Sequence, residues 1–319
     1  EIAATVIFAF MLFGFMLHAS GAGNTIIDLA TGTFGQVRGG PAKAAVVGSA
    51  GFGMMSGSIL ANVTGTGMIT IPLMKKIGYS PEFAGAVESV SSTLGMVTPP
   101  VMGGAIFIMI NWIEISYVYA MVICAIPAFL FYITEFWMVD FEAGRTGLQG
   151  IPRAELPSVT KAIRTGWWNL TSVLFLVYLL VVPMMDPGKA IVYALVWAIV
   201  VLIIAGLVKR RQSFSRALVV KGLRWFWNVL SGSFLQFIMA GLSCATAGIL
   251  IASVSLTGIG LKISSFIVDV SQGNLLIIML LTAAASFVMG MGLTMTACYI
   301  MLAVLVACLT TASSVPLWR

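Results

Sequence analysis

Five stretches of this chain, residues 2–18, 116–139, 167–185, 189–208 and 228–256, are apolar and almost free of charge from end to end. About 20 such residues carry a helix across the hydrocarbon of a bilayer, whereas a helix on a soluble protein keeps a polar face for water. Charged residues make up 9% of the 319, against roughly 25% in soluble domains. A water-soluble fold is excluded, and an all-α polytopic membrane protein is expected. The net charge of +6 comes from basic residues scattered over loops without interleaved aromatics, which argues for topology and against nucleic acid. Cys124, Cys244, Cys298 and Cys308 sit in apolar runs with no CxxC or Cys/His spacing and read as core residues.

Three further apolar runs are interrupted. Residues 42–74 and 276–312 carry Gly and Ser/Thr clusters near their midpoints, and 83–112 contains Thr98-Pro99-Pro100. If 42–74 enters and leaves on one face as a re-entrant helical hairpin, that face collects Arg38, Lys43, Lys75, Lys76, Arg145, Arg153, Lys161, Arg164, Lys209, Arg210, Arg211, Arg216, Lys221 and Arg224. The other face then holds Lys189, Lys262 and Arg319. This asymmetry makes the first face cytoplasmic. An odd number of crossings follows, so the second hairpin, 276–312, is expected to enter from outside. A shift of 237 residues places Ser20-Gly21-Ala22-Gly23 on Thr257-Gly258-Ile259-Gly260, Ser49 on Ser286, and Gly53-Met54 on Gly290-Met291. Two halves of opposite orientation are the inverted repeats of many secondary transporters, whose sites lie at discontinuous helices.

The expected organisation is a first inverted repeat over 1–139, holding hairpin 42–74 and broken helix 83–112, a cytoplasmic loop over 140–166, and a second repeat over 167–319 with hairpin 276–312. By the same offset, the second broken helix would begin near residue 320. The second half is therefore expected to be incomplete at its C-terminal end, and a chain that starts at Glu1 rather than Met is expected to be a piece of something longer.

Backbone groups at membrane depth do without helical partners only where protein or a polar cavity satisfies them. The stretch Ser56-Gly57-Ser58-Ile59-Leu60-Ala61-Asn62-Val63-Thr64-Gly65-Thr66-Gly67 suits a hairpin tip. One helix end there presents carbonyls to a cation, and the next helix start presents N–H groups to a carboxylate. Small residues serving close helix packing are the competing reading. Pro99 and Pro100 lack an N–H, which would release the carbonyls of Gly95 and Met96. With the hydroxyls of Thr98 and Ser92, these oxygens suit a hard cation such as Na⁺, against the alternative of a simple kink. The second tip, Gly290-Met291-Gly292-Leu293-Thr294-Met295-Thr296, would supply a second cation site or the other wall of the substrate pocket. Glu88 reads as the one acid well inside a crossing, serving proton or cation coupling or bonded within the scaffold. His18, at a helix end, reads as interfacial. With one histidine, no GxxxxGK[ST] loop and no nucleophile–base constellation, an enzyme or an ATPase is not expected.

Six segments in order, Gly39-Gly40-Pro41-Ala42-Lys43, Ser56-Gly57-Ser58, Ile71-Pro72-Leu73-Met74, Gly78-Tyr79-Ser80-Pro81, Phe83-Ala84-Gly85-Ala86-Val87-Glu88 and Pro99-Pro100-Val101-Met102-Gly103, resemble the large membrane subunit of TRAP (tripartite ATP-independent periplasmic) transporters. The resemblance is to the fused type that works with TAXI-class binding proteins, and it runs to about residue 305. It implies Na⁺-coupled symport of an organic anion, usually a carboxylate, by an elevator motion in a bacterial or archaeal cytoplasmic (inner) membrane. The implied partners are a periplasmic TAXI-type substrate-binding protein and a small four-helix membrane subunit or fused segment. Carried over, the first Na⁺ site involves Ser56, Ser58 and Asn62 with Gly95, Thr98 and Pro99, and the second Gly290, Gly292 and Thr296. Ser58, Asn62, Thr66, Thr294 and Thr296 are the candidates for the substrate. The chain departs from the family at Thr294-Met295, where Pro then Thr is usual, and after Val306. The alternatives are a Na⁺/dicarboxylate symporter that needs no binding protein, and a non-transporting, truncated membrane partner.

Overall fold

The computed structural model describes residues 6–210 and 216–258, then 262, 269–271, 274–291, 295, 298, 299 and 302. Every regular element among the described residues is helical. The chain divides into two units, residues 1–236 and 237–319.

In the first unit, α1 (Phe8–Ala19) and α2 (Ala22–Phe34) meet at a bend of 64°. The run read over 2–18 therefore continues past a sharp turn at Ser20-Gly21 into a second helix. α3 (Gly40–Ser56) and α4 (Ile59–Lys76) form a helical hairpin broken only at Gly57-Ser58. α5 (Pro81–Leu94) and α6 (Gly104–Ile113) are the halves of the proline-broken helix. α7 (Tyr117–Thr146) and α8 (Val159–Val181) each extend into the stretch read as a loop over 140–166, leaving a connector with one 3₁₀ turn at Arg153–Glu155. α9 (Pro187–Arg210) follows, and α10 (Arg216–Thr257) spans the division between the units. The second unit holds the end of α10 and α11 (Leu275–Gly290).

The starts of α4, α5, α7 and α8 share one device. Ser58, Ser80, Ser116 and Ser158 are N-caps whose side chains accept from the N–H groups of Ala61, Phe83, Tyr119 and Lys161. Each cap satisfies a donor that the first helical turn leaves without a partner. At α5 the cap precedes Pro81, which has no N–H to satisfy.

Two apolar clusters hold the first unit together. The larger joins α1, α6, α7, α8 and α9 through Phe13, Leu17, Phe107, Ala120, Leu176, Leu180 and Ile191. The smaller packs α3, α4, α5 and α7 through Ala42, Val46, Met74, Ala84, Val87 and Val139. α7 belongs to both, with Tyr117, Ala120 and Cys124 in the larger cluster and Val139 and Ala143 in the smaller. Its remaining face presents Ile126, Phe129, Leu130, Trp137 and Phe141 outward, an apolar surface suited to lipid. By length and composition, α7 and residues 187–204 of α9 qualify as membrane spans among the described residues, and the bent α1–α2 pair is a third if counted as one. These overlap the sequence-read runs 116–139, 189–208 and, over residues 8–18, the run 2–18.

Candidate functional site

The hairpin tip backs onto the proline break. Gly57 takes a left-handed conformation, φ +57°, and closes α3 with its N–H on the Gly53 carbonyl at 3.0 Å. A Cβ there would stand 2.4 Å from the Met102 carbonyl oxygen, so only glycine fits this approach. One turn back, a Cβ on Gly53 would lie 2.4 Å from Gly95 Cα. The Val101 N–H donates to the Met54 carbonyl at 3.3 Å, tying the break to α3 directly. The Tyr117 hydroxyl reaches the Pro100 and Val101 carbonyls at 2.7 and 2.9 Å, which fixes the other side. The Pro99-Pro100 bond is cis. Of the two carbonyls that the prolines were expected to release, Met96 accepts from the Gly103 N–H at 2.6 Å. Gly95 has Pro99 four residues ahead and no backbone donor among the described residues.

Behind the tip lies a buried polar cluster. Asn62 is fully buried; its amide nitrogen donates to the Ser49 carbonyl at 2.9 Å and reaches the Ser92 carbonyl at 3.5 Å. One side chain thus joins α3, α4 and α5. Next to it Glu88, 1% exposed, is met on Oε1 by the hydroxyls of Ser92 at 2.9 Å, Ser49 at 3.3 Å and Thr66, and on Oε2 by Thr70. Four hydroxyls thus meet its two oxygens, which suits the scaffold reading of Glu88.

The third layer is on α7. Ser91 Oγ lies 2.6 Å from Glu135 Oε1 and 2.7 Å from the Val87 carbonyl. The Tyr132 hydroxyl donates to the Ser91 carbonyl at 3.2 Å and sits 3.3 Å from Thr98 Oγ1, linking α7 to the proline break. Glu135 is a second buried acid, 7% exposed. The apolar run read over 116–139 puts Glu135 near an end. The helix continues to Thr146, so the acid is well inside. Its signal was present: one acid in an otherwise apolar run.

Ser56, Ser58, Asn62, Gly95, Thr98 and Pro99 all lie in this hairpin and break. Their roles differ from the simplest picture of a tip spread over 56–67. Asn62 and Thr66 belong to the first turns of α4, and Ser58 Oγ is used as the cap of that helix, 3.4 Å from the Ala61 N–H. Ser56 Oγ lies 3.5 Å from both N and O of Ser58. Thr98 Oγ1 also bonds the Leu94 carbonyl at 2.8 Å. Carbonyl, hydroxyl and amide oxygens without a formal charge form a donor set that fits a hard monovalent cation. In the second unit Gly290 ends α11; Gly292, Thr294 and Thr296 lie outside the described residues. His18, at the end of α1, is half-buried, edge-on to Phe52 with ring centroids 5.3 Å apart.

An ion cluster at the other end of α7 was visible in sequence only as part of a motif. Lys43, 6% exposed, and Arg38 both bond Asp140, and the Lys43 ammonium stands 5.0 Å from the Phe136 ring centroid. It anchors the entrance of α3 to α7, at the base of the hairpin.

Among characterised proteins, the C4-dicarboxylate TRAP transporter large permease protein DctM of Pseudomonas aeruginosa is 27% identical over 161 residues, 50% of this chain and 37% of the relative. The sialic acid TRAP transporter large permease protein SiaM of Vibrio cholerae is 26% identical over 161 residues, with the same shares of 50% and 37%. The C4-dicarboxylate TRAP transporter large permease protein DctM of Vibrio cholerae is 41% identical over 91 residues, 28% of this chain and 20% of the relative. The chain thus spans well under half the length of these relatives. Residues 1–318 match the family described as "Tripartite ATP-independent periplasmic transporter, DctM component". With its apolar helices and its hairpin set against a proline-broken helix, the chain belongs to that family, the large membrane permeases of TRAP transporters and not a family of enzymes.

Proposed function

We propose that this chain is part of the membrane subunit of a Na⁺-coupled secondary importer of organic anions, carboxylates above all, in the cytoplasmic (inner) membrane. In this reading a TAXI-type periplasmic binding protein delivers the substrate, and a small four-helix subunit or fused segment stiffens the scaffold. The hairpin of α3 and α4 is re-entrant, a second hairpin over 276–312 enters from the opposite side, and the pair moves as an elevator. The observation that carries the reading is the contact between Gly53 and Gly95, which sets a hairpin break against a proline break at one place. Two interrupted helices that meet back to back supply both carbonyls and helix N-termini to a common point, the pattern used by secondary transporters for ions and anionic substrates. The names of the relatives, which take C4-dicarboxylates or sialic acid, support an organic anion as substrate.

Na⁺ is held by Ser56, Ser58, Asn62, Gly95, Thr98 and Pro99, and a second Na⁺ by Gly290, Gly292 and Thr296. The substrate carboxylate lies toward Ser58, Asn62, Thr66, Thr294 and Thr296. The test is uptake into proteoliposomes holding the full-length transporter, with and without an inward Na⁺ gradient and a loaded TAXI-class binding protein. Uptake that needs both is expected. Uptake without the binding protein would instead favour a Na⁺/dicarboxylate symporter, and uptake indifferent to Na⁺ would overturn the proposed coupling.

A further inference from the structure

Hydrogen counting around Ser91 leads to a site that the reading above does not use. Ser91 is fully buried and owns one hydroxyl hydrogen. Its oxygen nevertheless makes two contacts of full O–H···O length, 2.7 Å to the Val87 carbonyl and 2.6 Å to Glu135 Oε1. If Glu135 is an anion, both neighbours are acceptors, and one hydrogen has to serve two bonds. Giving it to Val87 sets an anionic oxygen against the serine lone pairs at 2.6 Å. Giving it to Glu135 strips the Val87 carbonyl of that bond. The conflict disappears when the carboxyl brings a hydrogen of its own: Glu135 Oε1–H donates to Ser91 Oγ, and Ser91 donates to Val87. Glu135 Oε2, meanwhile, is buried without a hydrogen-bond partner among the described residues. Half of a negative charge would be stranded there, whereas a neutral carbonyl-type oxygen costs far less to bury.

We propose that Glu135 is a proton-binding site between α5 and α7, its hydrogen held on Oε1 against Ser91 Oγ. The charged and titratable groups around it leave that proton in place. On α5, Glu88 bonds Ser92 while the adjacent Ser91 meets Glu135, and a negative charge on Glu88 would itself favour the proton on Glu135. On α7, Tyr132 bonds the Ser91 carbonyl and Thr98, and Asp140 is engaged by Arg38 and Lys43, the latter arriving from α3. α6 carries no titratable residue, and Lys161 and Arg164 of α8 are exposed. Among the described residues no cation is bonded to Glu135 to hold it as a carboxylate. When the proton leaves, Ser91 has to turn from Val87 to the carboxylate, one residue from Ser92 and one hydrogen bond from Tyr132. Proton release is thereby felt at Thr98, in the proline break.

The test is infrared spectroscopy of the purified full-length protein in H₂O and D₂O at about pH 7, where carboxyl groups in water are ionised. A carbonyl stretch of a protonated carboxyl is expected in the wild type, slow to shift on deuteration because the group is buried. It is lost in Glu135→Gln and survives in Glu88→Gln. Gln supplies an N–H to Ser91 in place of the acid O–H, so this variant is expected to fold. Should it not, Ser91→Ala serves instead: removal of the acceptor shifts the band to higher frequency. An identical carboxyl region in wild type and Glu135→Gln, or a band that disappears with Glu88→Gln instead, would overturn the proposal. Neither result depends on Na⁺ or on transport, so it stands or falls apart from the import reading.

Discussion

The Asn62 side-chain amide donates to the Ser49 carbonyl at 2.9 Å, across the two arms of the hairpin, from a position with no exposure to solvent. Asn62→Ala leaves that carbonyl without its donor in a dry site. A loss of about 1–3 kcal/mol is expected, read as a lower thermal unfolding midpoint in detergent. Asn62→Asp should be worse, because a second acceptor then faces the carbonyls of Ser49 and Ser92. Wild-type stability in both variants would show that this bond is not what joins the arms.

Thr98 is placed for a different role. Its hydroxyl sits between the Leu94 carbonyl and the Tyr132 hydroxyl, beside the break. Thr98→Val keeps the shape and removes one oxygen from a small neutral donor set. The Na⁺ concentration for half-maximal uptake should rise roughly 3–10-fold, equivalent to about 1 kcal/mol, while Thr98→Ser stays near wild type. An unchanged Na⁺ dependence in the valine variant would remove Thr98 from the cation site.

The close approach of Gly53 and Gly95 leaves no room for a methyl group. A Cβ on Gly95 would meet Gly53 Cα at 2.8 Å and Asn62 Nδ2 at 2.9 Å, whereas one on Gly85 meets nothing within 4 Å. Gly95→Ala is expected to destabilise by about 1–3 kcal/mol through overpacking. Gly85→Ala, inside α5, should be neutral or stabilising by roughly 0.5–1 kcal/mol. Chemical denaturation of the two variants side by side makes the comparison; equal effects would contradict the packing argument.

Asp140 is the counter-charge for a buried ammonium. The Lys43 side chain is 8% exposed, so Asp140→Asn leaves it charged and poorly solvated. A cost of about 3–5 kcal/mol is expected, much of it recovered when Lys43→Met is added. A double-mutant cycle in thermal stability checks this, and additive losses would refute it.

Lys76 and Glu155 form an ion pair at 2.6 Å, with side chains 66% and 53% exposed. Water and salt screen such a contact, and Lys76→Ala should alter stability by less than about 0.5 kcal/mol. A larger shift in unfolding midpoint would mean that the connector after α7 is held more tightly than its exposure implies.

What could be read from residues alone was whatever depends on local chemistry. Apolar length set the helices of α7 and α9, and Gly57-Ser58 and Pro99-Pro100 marked the two breaks, because each acts through its own backbone neighbours. The membership of the site was harder. Glu135 meets Ser91 and Lys43 meets Asp140 across 44 and 97 residues of sequence, and no local pattern records such partners. The extent of the tip was misjudged for the same reason: Asn62 and Thr66 look like loop residues in composition, yet they are helical. Their polar groups find partners on α3 and α5, so the helix can continue through a buried polar stretch at no loss of hydrogen bonds. Packing decides which buried polar groups face one another, and that pairing determines whether an oxygen serves the scaffold or is left for a ligand.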